Sequence, residues 1–257
     1  MSEAPPRFRF GQDGRRIRRG MYLLPSLFTI GNLFCGYACV MFAMRGDLAT
    51  AAPFIGAAFV LDGLDGRIAR MTGTTSAFGI EMDSLADVVS FGLAPAVLAS
   101  AWGLSELGRL GWAAGFLYVT AAAIRLARFN IQTGTHTDKR YFIGMPSPAA
   151  AGVPAATIFF YPYPLVGKTQ AIAAIAVVII PAILMVSTIR FRSFKTINFG
   201  WDRSYIKLFA FAALLVFIAE EPRWAMIIIA YSYLIAALIE WVLTRWRGRR
   251  AAQPPAA

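Results

Sequence analysis

Four aspartates stand where charge is expensive. Asp62 and Asp65 are three residues apart, Asp83 and Asp87 four apart, and both pairs fall within long apolar runs. An ionisable side chain in a membrane span costs roughly 2.5–3.5 kcal/mol on insertion scales. On helices these spacings put each pair on one face. The two runs are joined by a short polar turn containing Gly73, Thr74, Thr75 and Ser76, which makes the helices antiparallel neighbours with converging acidic faces. Clustered carboxylates repel one another unless cations intervene. Hard ions such as Mg²⁺ or Mn²⁺ take oxygen ligands, and two of them would neutralise four aspartates. Such a pair suits diphosphate chemistry, because it can clamp the attacking and leaving oxygens. Gly63, Gly66 and Gly79 leave room for a bulky phosphate against the backbone, and Arg67 and Arg70 are charged donors for its oxygens. The competing reading is Asp–Arg ion pairing between helices.

The elements that position these groups follow from composition. The chain has 257 residues, 58% of them hydrophobic and 15% charged, against roughly 45–50% and 25% in soluble domains. The apolar excess is gathered in runs of membrane-span length. Hydropathy predicts an all-α polytopic transmembrane bundle of about eight spans, at 23–44, 48–70, 80–102, 110–132, 147–166, 170–190, 206–220 and 224–244. On that count 21 lysines and arginines fall on the side owning both termini and four on the other, Arg45, Arg109, Lys168 and Arg223. The positive-inside rule then places both termini in the cytoplasm.

The organisation expected is a basic N-terminal segment (1–22) on or near the cytoplasmic membrane surface, a transmembrane domain (23–245), and a basic then disordered tail (246–257). No removable signal peptide is expected, since the first apolar run is long enough to stay in the membrane. The net charge of +11 sits at the ends of apolar runs, facing lipid head groups rather than nucleic acid. Cys35 and Cys39, four apart in the first span, read as small packing residues.

The stretch from Asp62 to Asp87, DGLDGRIARMTGTTSAFGIEMDSLAD, resembles the CDP-alcohol phosphatidyltransferase signature D-x2-D-G-x2-A-R-x8-G-x3-D-x3-D at every fixed position. The resemblance implies that Asp62, Asp65 and Asp83 are principal ligands of a two-metal centre. Asp87 would complete it and act as general base on the acceptor hydroxyl. Gly66, Ala69, Arg70 and Gly79, with Asp65, would shape the cytidine diphosphate pocket. Further strings are similar to membrane-embedded phosphatidylserine synthases: PSLFTIGNLFCG (Pro25–Gly36), DSLADVVSFGLAPA (Asp83–Ala96), RLARFN (Arg125–Asn130) and GMPSPAAAG (Gly144–Gly152). They imply CDP-diacylglycerol and L-serine as substrates, a prokaryotic-type inner or plasma membrane location with the site facing the cytoplasm, and a homodimer by analogy.

Asn32, polar within the first span, either reaches the nucleotide or makes an interhelical hydrogen bond. Arg125 and Arg128 are candidates for lipid phosphate or the serine carboxylate, or simple positive-inside anchors. Asn130 is a candidate substrate contact or a local cap. Pro146 and Pro148 stiffen the start of the fifth span, and His136 lies in a polar loop with no assigned role. Two other functions remain open: a sister transferase using glycerol phosphate, inositol phosphate or choline, and a divalent-metal transporter. The transporter would need access from both faces, and the arginines flanking the aspartates oppose a cation path.

Overall fold

The computed structural model describes residues 13–73, 76–133, 141–187, 190–192 and 205–251. Residues 1–12 of the basic N-terminal segment, Thr74 and Thr75 of the polar turn, His136, Lys139, Arg140 and residues 252–257 of the tail lie outside the described residues.

The chain folds as a helical bundle. Helix α1 runs Asp13–Met44 and packs along α2, Leu48–Thr72. The turn between them is closed by Asp47, whose side chain accepts from Thr50 N at 3.1 Å and caps α2. Helix α2 ends at Gly73, which takes the left-handed conformation (φ +63°) and returns its N–H to Ala69 O. Ser76 then caps α3 (Ala77–Asp87) by accepting from Gly79 N at 3.0 Å. A C-cap and an N-cap separated by two residues make a tight helical hairpin of the aspartate stretch.

Helix α3 does not stop at Asp87. It passes through one π-helical segment, Val88–Leu93, into α4, Ala94–Trp102, so that Ala77–Trp102 is one continuous apolar helix. A short 3₁₀ turn, Leu104–Leu107, leads into α5, Arg109–Thr133. Next come strand β1 (Tyr141–Ile143), α6 (Ser147–Phe160), α7 (Lys168–Val186) and strand β2 (Arg190–Arg192). Helices α8 (Tyr205–Glu220) and α9 (Pro222–Ala251) complete the described chain.

The predicted all-α architecture is observed, with one small two-stranded ribbon added to it. β1 and β2 pair antiparallel, Phe142 opposite Phe191, and Met145 N continues the contact by donating to Leu184 O at 2.9 Å. The span predicted at 170–190 therefore ends early, because Ser187 leaves the helix in an extended conformation (ψ 157°). The span predicted at 147–166 also stops short, at Phe160, since Pro162 and Pro164 lack the N–H donors that would continue it. That non-helical stretch is tied to α4: the Trp102 indole donates to Tyr161 O at 3.0 Å, and Leu165 N donates to Trp102 O at 2.7 Å.

Among the described residues, five helices are long and apolar enough to cross a membrane: Ser26–Met44, Leu48–Thr72, Ala77–Trp102, Arg109–Ile131 and Lys168–Val186. Two shorter apolar helices, Ser147–Phe160 and Pro222–Ala236, accompany them. The packing is that of a membrane protein. The interior is filled by small side chains, among them Ala51, Ala52, Ala58, Ala99, Ala122, Ala151 and Ala155, while Phe34, Trp112, Phe116 and Ile172 face outward. In lipid, helices gain little from burying large apolar groups, and close approach through small residues holds them together. Cys35 and Cys39 are buried and free, as packing residues should be. The centre of the bundle is α4 with the π segment, which touches α1, α2, α5 and α6.

Candidate active site

The helical hairpin brings three of the four aspartates together. One carboxylate oxygen each from Asp62, Asp83 and Asp87 lies within 4.8 Å of the others. At an effective dielectric near 20, unit charges at that separation repel by about 3 kcal/mol per pair. Among the described residues the basic group within electrostatic reach of Asp62 and Asp87 is Arg125 on α5, one cation beside three carboxylates. Asp65, one turn from Asp62, is buried at 6% exposure and accepts a hydrogen bond from the Thr29 hydroxyl on α1. It remains within electrostatic reach of Asp62 and Asp83.

Helix α1 supplies a second polar contact. Asn32, fully buried, donates from Nδ2 to Asp87 Oδ1 at 3.1 Å. Of the two sequence readings of Asn32, the interhelical hydrogen bond is therefore present, and its partner is a site aspartate. Thr29 and Asn32 are three apart on one helical face, each holding one carboxylate.

The donor set fits a divalent cation. Asp83 Oδ1 and Asn32 Oδ1 are buried without a hydrogen-bond partner among the described residues. Both atoms are pure acceptors, so what they lack is a donor or a cation. All-oxygen ligation by carboxylates is the chemistry of Mg²⁺ or Mn²⁺.

The neighbouring candidates divide. Arg70 is exposed and folds back over α2, its guanidinium lying 3.9 Å from where a Cβ on Gly66 would be. Arg67 is on the exposed face of the same helix, Ala69 is half-buried, and Gly79 sits in the capped first turn of α3. From α5, half-buried Arg125 feels the charges of Asp87 and Asp62, and its Nη1 donates to Ser147 Oγ at 2.9 Å. Arg128 points elsewhere, donating to Val186 O at the end of α7 at 2.9 Å. Asn130 Nδ2 donates to Ser84 Oγ at 2.8 Å, fastening α5 to α3 beside Asp83.

Sequence reasoning missed Thr29, Ser90 and Ser147. Thr29 had a usable signal, since a hydroxyl three residues before Asn32 shares its face in an otherwise apolar span. Ser90 and Ser147 had no signal beyond lying in the strings Asp83–Ala96 and Gly144–Gly152, because hydroxyls in spans usually satisfy their own helix.

A profile of CDP-alcohol phosphatidyltransferase matches residues 22–193, a range containing every one of these groups. The chain belongs to this family. A protein of Helicobacter pylori (strain 26695) named CDP-diacylglycerol–serine O-phosphatidyltransferase is 40% identical over 225 residues, covering 86% of this chain and 92% of its own. A Mycobacterium leprae protein of the same name is 44% identical over 142 residues, 53% of this chain and 47% of its own. An archaetidylserine synthase of Methanothermobacter thermautotrophicus is 35% identical over 170 residues, 65% and 69% of the two chains. For a CDP-alcohol phosphatidyltransferase the hairpin of α2 and α3 is the segment that carries the family signature, and here it is the segment that assembles the carboxylates.

Proposed function

We propose that the chain transfers the phosphatidyl group of CDP-diacylglycerol to the hydroxyl of L-serine, giving phosphatidylserine and CMP. The observation that carries the reading is the convergence of Asp62, Asp83 and Asp87 at the signature hairpin. The acceptor follows from the relatives' names: those from Helicobacter and Methanothermobacter differ in the lipid they denote and share serine.

In this reading Asp62, Asp65, Asp83 and Asp87 hold two Mg²⁺ or Mn²⁺ ions, which when bound neutralise the diphosphate and draw charge from the reacting phosphorus. Gly66, Ala69 and Gly79 leave space for the cytidine diphosphate, and Arg70 donates to its oxygens. Asn32 orients Asp87 through its Nδ2, and its Oδ1 is left to face the nucleotide. Asp87 takes the proton from the serine hydroxyl as that oxygen attacks the lipid-linked phosphorus. The bond from phosphorus to the CMP oxygen breaks, and Arg70 meets the charge that develops on CMP. Arg125 has guanidinium donors beyond the one given to Ser147 and lies near Asp87, a position suited to the serine carboxylate. Arg67, Arg128 and Asn130 hold the surrounding helices and lipid phosphates rather than the acceptor.

The full topology we propose has about eight spans with both termini cytoplasmic, from the lysine and arginine asymmetry. The site then faces the cytoplasm of a prokaryotic-type inner or plasma membrane, CDP-diacylglycerol enters laterally from that leaflet, and the protein works as a homodimer.

The test is CMP release by purified protein in detergent with CDP-diacylglycerol and Mn²⁺ or Mg²⁺, comparing serine with glycerol phosphate, inositol phosphate and choline. Serine-dependent release is expected. Release with another acceptor keeps the transferase and overturns the acceptor. No release from folded protein with any acceptor overturns the transferase reading.

A further inference from the structure

The π-helical segment begins at Val88, the residue after Asp87. Such segments widen one turn of a helix and shift the side chains that follow, and they occur often at functional sites. Here the shifted residue is Ser90, fully buried, whose hydroxyl donates to the backbone carbonyl of Asn32 at 2.8 Å. That carbonyl lies within α1, where a regular helix already gives it an N–H donor four residues on. A second donor reaches it only if the two helices almost touch. Gly36, one turn on, permits this: a Cβ there would lie 2.5 Å from Ser90 Oγ and 2.8 Å from Ser90 Cα.

We propose that Ser90 is a positioning residue for Asp87, acting through Asn32. The contacts form a closed ring. Asp87 leads through Val88 and Val89 of the π-turn to Ser90, Ser90 holds the main chain of Asn32, and the Asn32 amide returns to Asp87 Oδ1. Each link removes a freedom that the others leave. The main-chain bond sets the height and rotation of α1 at Asn32, and the amide bond then sets the carboxylate plane. With Oδ1 engaged by Nδ2, Oδ2 is the oxygen left for the acceptor proton. The inference rests on the reading of Asp87 given above. It assigns Ser90 no contact with substrate.

A double-mutant cycle tests it, using CMP release with whichever alcohol the wild type turns over. Ser90→Ala is expected to lower kcat about tenfold with the KM of both substrates held within about twofold, the pattern of lost transition-state positioning. Ser90→Cys, which keeps a weak donor, recovers part of the loss. Asn32→Ala lowers kcat further, and adding Ser90→Ala to it changes nothing more, since Ser90 acts only through the missing amide. Thermal midpoints in detergent are read for every variant. Additive losses in the cycle, wild-type kcat for Ser90→Ala, or a kcat loss that follows the loss of folded protein each overturn the ring. Those results leave the acceptor assignment standing, because it is decided by the wild-type protein alone.

Discussion

Arg125 Nη1 donates to the Ser147 hydroxyl at 2.9 Å, and this bond joins the middle of α5 to the first residue of α6. The same guanidinium packs over the Phe129 ring, 5.3 Å from its centroid. Pinned by a hydroxyl on one side and a ring on another, it keeps a fixed direction beside Asp62 and Asp87 without pairing with either.

If that direction serves the acceptor, Arg125→Gln raises the KM for serine by about 10- to 100-fold, the worth of one charge-assisted hydrogen bond pair. The KM for CDP-diacylglycerol moves little. Initial rates with each substrate varied in turn separate the two, and equal changes in both constants would assign Arg125 to the nucleotide side or to packing.

Chelation with EDTA is expected to stop CMP release, and Mn²⁺ or Mg²⁺ to restore it. Asp62→Asn and Asp83→Asn each lower turnover by more than about a hundredfold and weaken Mn²⁺ binding, because each removes a charged oxygen ligand. Electron paramagnetic resonance of added Mn²⁺ reads the binding without reference to activity. Unchanged Mn²⁺ affinity in both variants would place the ions elsewhere.

Asp87→Asn preserves shape and the contact with Asn32 but cannot accept a proton. A loss of about 10²–10⁴ in kcat is expected for a general base. Retained turnover would remove Asp87 from that role.

Two glycines outside the aspartate hairpin hold the frame. A Cβ on Gly111 would lie 1.7 Å from Leu104 O, and one on Gly144, at φ +82°, would lie 2.4 Å from Met185 O. Neither backbone oxygen can yield cheaply. Gly111→Ala and Gly144→Ala should each destabilise the fold by about 1–3 kcal/mol or more, as overpacked sites do, seen as a lower thermal midpoint in detergent. The open positions Gly63 and Gly46 differ in kind. Gly63 has nothing within 4 Å and a helical backbone, so Gly63→Ala should be neutral to stability.

The aspartate hairpin was legible because its signals are local. Helical spacing within each pair, a polar turn between, and Ser76 and Gly73 as caps together specify two antiparallel helices. The partition of the aspartates was not legible. Three converge while Asp65 turns to Thr29, a choice made by α1, whose approach to α2 depends on packing along its whole length. The ends of α6 and α7 were misjudged for a related reason: hydropathy continues through Pro162, Pro164 and Ile189, but backbone donors and extended geometry end the helices first. The π segment after Asp87 leaves no compositional trace, since Val88–Leu93 reads like any apolar helix.

The small ribbon of β1 and β2 imposes a parity on the chain. Residues 141–143 and 190–192 are hydrogen-bonded neighbours, so in the eight-span topology proposed above they would share one side of the bilayer. The path from one strand to the other must then cross an even number of times. If α7 crosses, the segment before it crosses too, although α6 has only 14 residues and so spans about 21 Å of a core about 30 Å thick. The remaining distance falls to Tyr161–Gly167, whose free backbone groups are met in part by Trp102. A broken helix leaning on a neighbour is the form in which irregular backbone is tolerated at membrane depth. If the ribbon lies outside the membrane, three paired residues on each strand constrain how many times the chain between them passes through it.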